Sequence, residues 1–134
     1  MLVGSFGEIV FEVSEGKILT LSDFSRESKA NYTEHKILNN PAILEFLGRD
    51  LEVIKFTVAL HKSLGISDLL MEAHKFREYL WNGTAEFFIL NNHLYTENKM
   101  VITDLSEEVN YFDGFGKHIA TNLNVTLKEY VENN

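Results

Sequence analysis

Between Ile66 and Gly83 apolar residues recur every three to four positions: Leu69, Ala73, Phe76 and Leu80 form a stripe, and Leu70 widens it. That period predicts an amphipathic helix with one face packed on a sheet. Ser67 is placed to cap its N-terminus, Asp68 adds favourable negative charge there, and Asn82-Gly83 supplies a left-handed stop. Everywhere else the dominant period is two. Glu8 to Val13 alternates, with Ile9, Phe11 and Val13 on one face, and Ser14-Glu15-Gly16 turns it into a second strand over Lys17 to Leu21. Asp23 to Asn40 is mostly polar and fits one weak strand followed by an exposed loop at Glu34 to Asn40.

Pro41, the only proline, ends the Asn39-Asn40-Pro41 punctuation. Ala42 to Leu47 reads as a strand, Gly48-Arg49-Asp50 as a turn, and Leu51 to His61 as a long strand with Ile54, Phe56, Val58 and Leu60 facing inward. After the helix come strands at Ala85 to Leu90, His93 to Thr96 and Lys99 to Glu108. Val109 to Gly116 reads as an aromatic and glycine-rich loop that packs on something. The closing strand, Lys117 to Tyr130, alternates Ile119, Thr121, Leu123, Val125 and Leu127 with polar residues, and at ~3.3 Å per residue it spans roughly 45 Å. The pattern therefore predicts an α+β fold in one domain over residues 1–134. About eight antiparallel strands form a β-sandwich or a partly closed barrel around one central helix.

Composition narrows the function more than it names one. A chain of 134 residues is one domain, long enough to bury about 68% of its unfolded surface. The net charge of −8, from 20 acidic and 12 basic residues, repels phosphate backbones and excludes sequence-independent nucleic-acid binding. No cysteine is present, which removes disulfides, thiolate metal sites and cysteine nucleophiles together. There is no run of ~18 apolar residues to cross a membrane, and no basic segment at the N-terminus to begin a secretory signal.

Candidate chemistry is sparse. The five histidines, His35, His61, His74, His93 and His118, make no H-x-H or H-x-x-x-H pair, so no metal site is expected. Gly4-Ser-Phe-Gly7 and Gly114-Phe-Gly116 lack the strand, loop and helix context of a phosphate cradle, and no G-x-S-x-G elbow occurs. Adjacent Glu107 and Glu108 point to opposite faces of a strand. Trp81 reads as a hydrophobic lid on the core. No catalytic residue, metal or cofactor is assigned. The competing class is a small ligand-binding or hydrolytic domain with a pocket between sheet and helix, near Trp81, His118 and Tyr130.

Several segments together carry a resemblance. Tyr32-x-x-His35, Asn40-Pro41-Ala-Ile-Leu-Glu-Phe46-Leu-Gly48, the long strand to His61, the Phe87-Phe88 strand, Val101-Ile102, Tyr111-Phe-Asp-Gly114 and the closing Leu127-Lys-Glu-Tyr130 follow one another as in the GpU tail-protein family. The chain resembles this family of contractile-tailed temperate phages over roughly residues 6 to 130, with Tyr32 where the family has tryptophan. The resemblance implies a structural protein of a phage tail or R-type bacteriocin with a tail-tube-like fold and no enzymatic activity. It further implies a ring of six copies that joins or initiates the tail tube at the baseplate, located in the virion tail and assembled in the host cytoplasm. Its partners would be itself, tube subunits and a baseplate hub, with tape-measure protein or DNA passing an acidic bore unbound; a membrane is not among them. Tyr32, His35, Pro41, Phe112 and Phe115 are the expected subunit contacts. A soluble tail-assembly chaperone is a further alternative.

Overall fold

In the computed structural model, which describes residues 2–13, 18–19, 21–61, 66, 68–112, 114–116 and 118–131 (the side chains of Leu2, Phe112 and His118 excepted), the helix forms where its period placed it, over Leu69–Asn82 (α1). Asp68 is the N-cap, its carboxylate accepting from the Met71 amide at 3.1 Å; the expected cap, Ser67, lies outside the described residues. Gly83 ends the helix at φ 63°, the left-handed conformation that glycine adopts without a Cβ clash. Leu69, Ala73 and Phe76 are buried. Leu70, expected to widen that stripe, instead faces solvent, because the sheets cover a narrower arc of the helix than the apolar residues occupy.

Eleven strands accompany α1 among the described residues: β1 (Leu2–Phe6), β2 (Ile9–Val13), β3 (Ile18–Leu19), β4 (Leu21–Glu27), β5 (Ala30–Ile37), β6 (Asn40–Arg49), β7 (Val53–His61), β8 (Phe88–Leu90), β9 (His93–Leu94), β10 (Met100–Phe112) and β11 (His118–Glu129). They form three antiparallel sheets in the orders β3-β2-β1-β8-β9, β10-β11-β7-β4 and β5-β6. The fold is α+β and mostly strand. None of these sheets closes on itself into a barrel, since β10 and β4 are the two edges of the four-stranded sheet.

The core lies where α1 and the two larger sheets meet. Phe11, Phe56 and Phe88 are fully buried, and Phe24 stacks on Phe56 at 6.3 Å and on Phe88 at 6.0 Å. Tyr95 meets Phe24 edge-on at 5.2 Å, the quadrupole-favoured geometry. β7 contributes Ile54, Phe56, Val58 and Leu60 to this core, and β11 contributes Leu123, Val125 and Leu127. Their opposite face carries Lys55 and Thr57 on β7 and Asn122, Asn124, Thr126 and Lys128 on β11, with Thr57 donating to the Asn124 side chain at 2.9 Å. One side of the four-stranded sheet is thus dry and the other wet, as the strict alternation requires. The β1–β2 turn is fixed to the helix by Tyr79, whose hydroxyl accepts from the Glu8 amide at 2.9 Å. Gly7 at φ 59° lies so close to that hydroxyl that a Cβ would collide with it.

Several expectations change. The Ser14-Glu15-Gly16 turn lies outside the described residues, although β2 and β3 pair as a hairpin should. The polar stretch after Asp23 holds β4 and β5 rather than one weak strand, because backbone pairing with β7 and β6 holds strands whose side chains are mostly polar, with Phe24 of β4 turned into the core. The loop expected at Glu34 to Asn40 is strand up to Ile37, with a tight turn at Leu38-Asn39, where Asn39 takes φ 63°. Val109 to Gly116 is not a packed loop either: β10 runs through Phe112, and Phe115 stands 95% exposed.

Replacing Phe88 with alanine empties the centre of the aromatic cluster and should lower unfolding free energy by ~3–5 kcal/mol in denaturant titration. Phe46→Ala on β6, whose side chain is exposed, should change it by less than about 1 kcal/mol. Equal losses at the two positions would contradict this division between core and surface.

Candidate functional site

The unusual surface is the β5–β6 ribbon. Among the described residues its two strands pair only with each other, and its side chains are largely exposed on both faces. Yet the ribbon is not polar. Tyr32, Ile43, Leu44, Phe46 and Leu47 are 54–65% exposed, and Leu38 at the turn is more so. Monomeric proteins seldom leave such a contiguous apolar surface in water, and a lone two-stranded hairpin is marginally stable by itself. Pairing places Tyr32 opposite Phe46, with ring centroids 5.4 Å apart, and Glu34 opposite Leu44 on one face. The other face sets Thr33 opposite Glu45 and His35 opposite Ile43, and His35 Nε2 reaches the Glu45 carboxylate at 2.5 Å. Pro41 lies at the turn end of β6, where a missing donor is tolerated because the ribbon is all edge.

The ribbon is nevertheless firmly rooted. Arg49, the last residue of β6, forms a two-pronged ion pair with Glu129 at the end of β11, Nη1 to Oε1 at 2.7 Å and Nη2 to Oε2 at 3.0 Å. Glu129 also accepts from the Glu52 amide at 3.1 Å and from the Asn98 side chain at 2.6 Å, so its buried carboxylate is fully satisfied. On the β5 side, Asn31 donates to Asp50 at 2.5 Å, and the Asp50 amide donates to the Lys29 carbonyl at 2.9 Å. Arg26 continues the network by donating to Glu52 and to the Tyr95 carbonyl. Against the opposing effect of burial, the Arg49 guanidinium, helped by Asn98 and the Glu52 amide, holds the Glu129 carboxyl down from an ordinary 4.5 to about 2.

Of the expected contact residues, the fold brings Tyr32, His35 and Pro41 together on the ribbon. Phe115 sits in the turn of a separate hairpin, β10–β11, and Phe112 ends β10, its side chain outside the described residues. Of the residues expected to line a pocket, Trp81 and Tyr130 are both open to solvent. Trp81 is 66% exposed rather than a lid on the core, flanked by Arg77 at 5.8 Å and by His74, and Tyr130 is also exposed; the side chain of His118 lies outside the described residues. Two shallow depressions of about 380 and 280 Å³ flank the ribbon's base, lined by charged residues such as Glu27, Lys29, Asp50 and Glu52 and by no histidine. Among the described residues, no group of three His, Asp or Glu side chains is gathered as a metal site. Sequence reasoning missed Arg49, Glu129 and Asn98, although Glu129 falls on the buried phase of its strand after Leu123, Val125 and Leu127, and a carboxylate there requires a partner.

A group whose folded pKa is depressed stabilises above its unfolded value and loses that contribution as pH falls. The Glu129 clasp should therefore supply roughly 2–3 kcal/mol above pH 4.5, disappearing between about 4.5 and 2. Glu129→Gln should be less stable than the parent at pH 7, with the two curves converging toward pH 2 in chemical denaturation. A gap that stays constant with pH would contradict the clasp.

No curated protein matches this chain. The Phage P2 GpU family model matches residues 7–132, which takes in both the ribbon and its clasp. The chain therefore belongs to the Phage P2 GpU family of phage tail structural proteins.

Proposed function

We propose that this protein is a self-assembling structural ring of a contractile tail, joining or initiating the tail tube at the baseplate, with the β5–β6 ribbon as its assembly arm. The observation that carries this reading is apolar surface held outward on a rooted two-stranded ribbon that its own chain leaves uncovered. Further support comes from the outer edges of β4 and of β10 beyond its Met100–Glu86 bridge, which among the described residues pair with no other strand and can meet a neighbouring copy. Tyr32, His35 and Pro41 act within the arm, and Phe112 and Phe115 at the β10–β11 turn form a second contact region. The strands of one copy complete the layers of the next, so a sandwich-like or closed barrel wall belongs to the ring rather than to the single chain.

The wet face of β7 and β11 fits the wall of a bore. Its Asn and Thr side chains are uncharged and hydrogen-bonding, and its cations Lys55 and Lys128 are balanced by the acids Asp104 and Glu108 on β10 at its margin. Tape-measure protein or DNA would pass such a wall without a site to hold it, and tube subunits and a baseplate hub would meet the ring's two ends. The site of action is the virion tail.

Light scattering coupled to size exclusion tests the arm. The parent chain should elute as a discrete oligomer or a polymer. Phe46→Asp should elute at a smaller mass than the parent, with an unchanged thermal midpoint, since Phe46 is exposed in the single chain. A monomeric parent, or a Phe46→Asp variant that assembles fully, would refute the reading.

A further inference from the structure

The ribbon has two faces, and they differ. One presents Tyr32, Leu44 and Phe46, an aromatic and aliphatic surface interrupted by Glu34. The other presents Ile43 among Thr33 and the paired His35 and Glu45, an apolar centre inside a polar frame. Leu47 sits at the bulge between the Asn31–Gly48 and Tyr32–Phe46 pairs, where the ribbon twists. Among the described residues no other element covers either face, and Leu44 and Ile43, on opposite faces, are both more than half exposed.

We infer that the two faces of the β5–β6 ribbon are buried by two different copies of this chain, so that each arm is held between two neighbours. This inference rests on the self-assembly reading above and adds to it the number of copies that each arm touches. Size is the first argument. β5 has 8 residues and β6 has 10, and alternation gives each face about half of them. A stable interface uses roughly 20–30 residues a side, so one face is too small to be the whole contact of an arm, and its second face is left for another copy.

Chemical difference is the second argument. A reciprocal two-fold dimer needs a self-complementary patch, and stacking two ribbons on one face would leave the other face, with its own exposed apolar centre, in water. Two unlike faces instead make head-to-tail contacts, which close into rings or propagate.

Charge is the third argument and identifies the occupant. Within Ala30–Arg49 the acids Glu34 and Glu45 balance the bases Lys36 and Arg49, whereas the whole chain carries −8. The rest of the chain therefore holds the entire acid excess. Copies that met through those acidic surfaces would repel one another, and a neutral arm lying between them is the surface through which they meet at least electrostatic cost.

Variants that disable one face at a time test this directly. Leu44→Asp places a charge on the first face and Ile43→Asp on the second; Leu44→Thr and Ile43→Thr repeat the test with residues that favour strands. Circular dichroism and thermal melting of each variant establish that the chain is folded, and light scattering reads the mass. Each single-face variant should form a species larger than a monomer and smaller than the parent assembly, and the double variant should be monomeric. A single-face variant that reaches the parent mass would show that face to be idle. Two single-face variants that are both monomeric would show the arm to be gripped by one copy. Either result overturns the two-neighbour arrangement while leaving self-assembly intact, whereas a monomeric parent chain removes both.

Discussion

Apolar surface on both sides of a two-stranded ribbon cannot be buried by the chain that carries it. Each face of the ribbon needs a layer opposite, and this chain has spent its other strands elsewhere: nine strands and one helix enclose the aromatic core around Phe11, Phe56 and Phe88. The remaining two, β5 and β6, stand apart with Tyr32, Leu44 and Phe46 in water. Within this constraint, the exposed ribbon is where the proposed assembly would act.

Adhesion requires direction as well as stickiness. A floppy ribbon would lose conformational entropy on docking and would dock in many poses. The clasp between Arg49 and Glu129 joins the root of the ribbon to the end of β11, and Glu129 has all of its hydrogen-bonding capacity occupied by Arg49, Asn98 and the Glu52 amide. Asn31 and Asp50 secure the other strand. The arm is therefore fixed at its base in the single chain, which would lower the ordering cost of the proposed assembly.

Much of this architecture was legible in the chain. The 3.6-residue period over Leu69 to Leu80 gave the helix, and the alternation in β7 and β11 gave the two strands that centre the larger wall. The ribbon was half legible. Ala42 to Leu47 is an almost unbroken apolar run, which reads as a strand buried on both faces; sequence cannot tell burial by the same chain from burial by another copy. Its partner strand, Glu34 to Ile37, looked like a loop because its side chains are polar, although its backbone pairs as well as any other. The clasp joins residues 80 positions apart, and no local period reports such a contact. Only Glu129, charged on the inward phase of its strand, hinted at it. The likeness over Tyr32 to Gly48 falls on the same residues that form the exposed ribbon.

The central claim is that the ribbon is bare in the single chain and covered in the assembly. Hydrogen–deuterium exchange, read on the dilute chain and again on the assembled form, measures that difference segment by segment. We expect amides of residues 30–49 to exchange rapidly in the dilute chain, those of β7 and β11 to exchange slowly in both states, and the ribbon to become protected on assembly. Ribbon amides that exchange at the same rate before and after assembly would contradict the account.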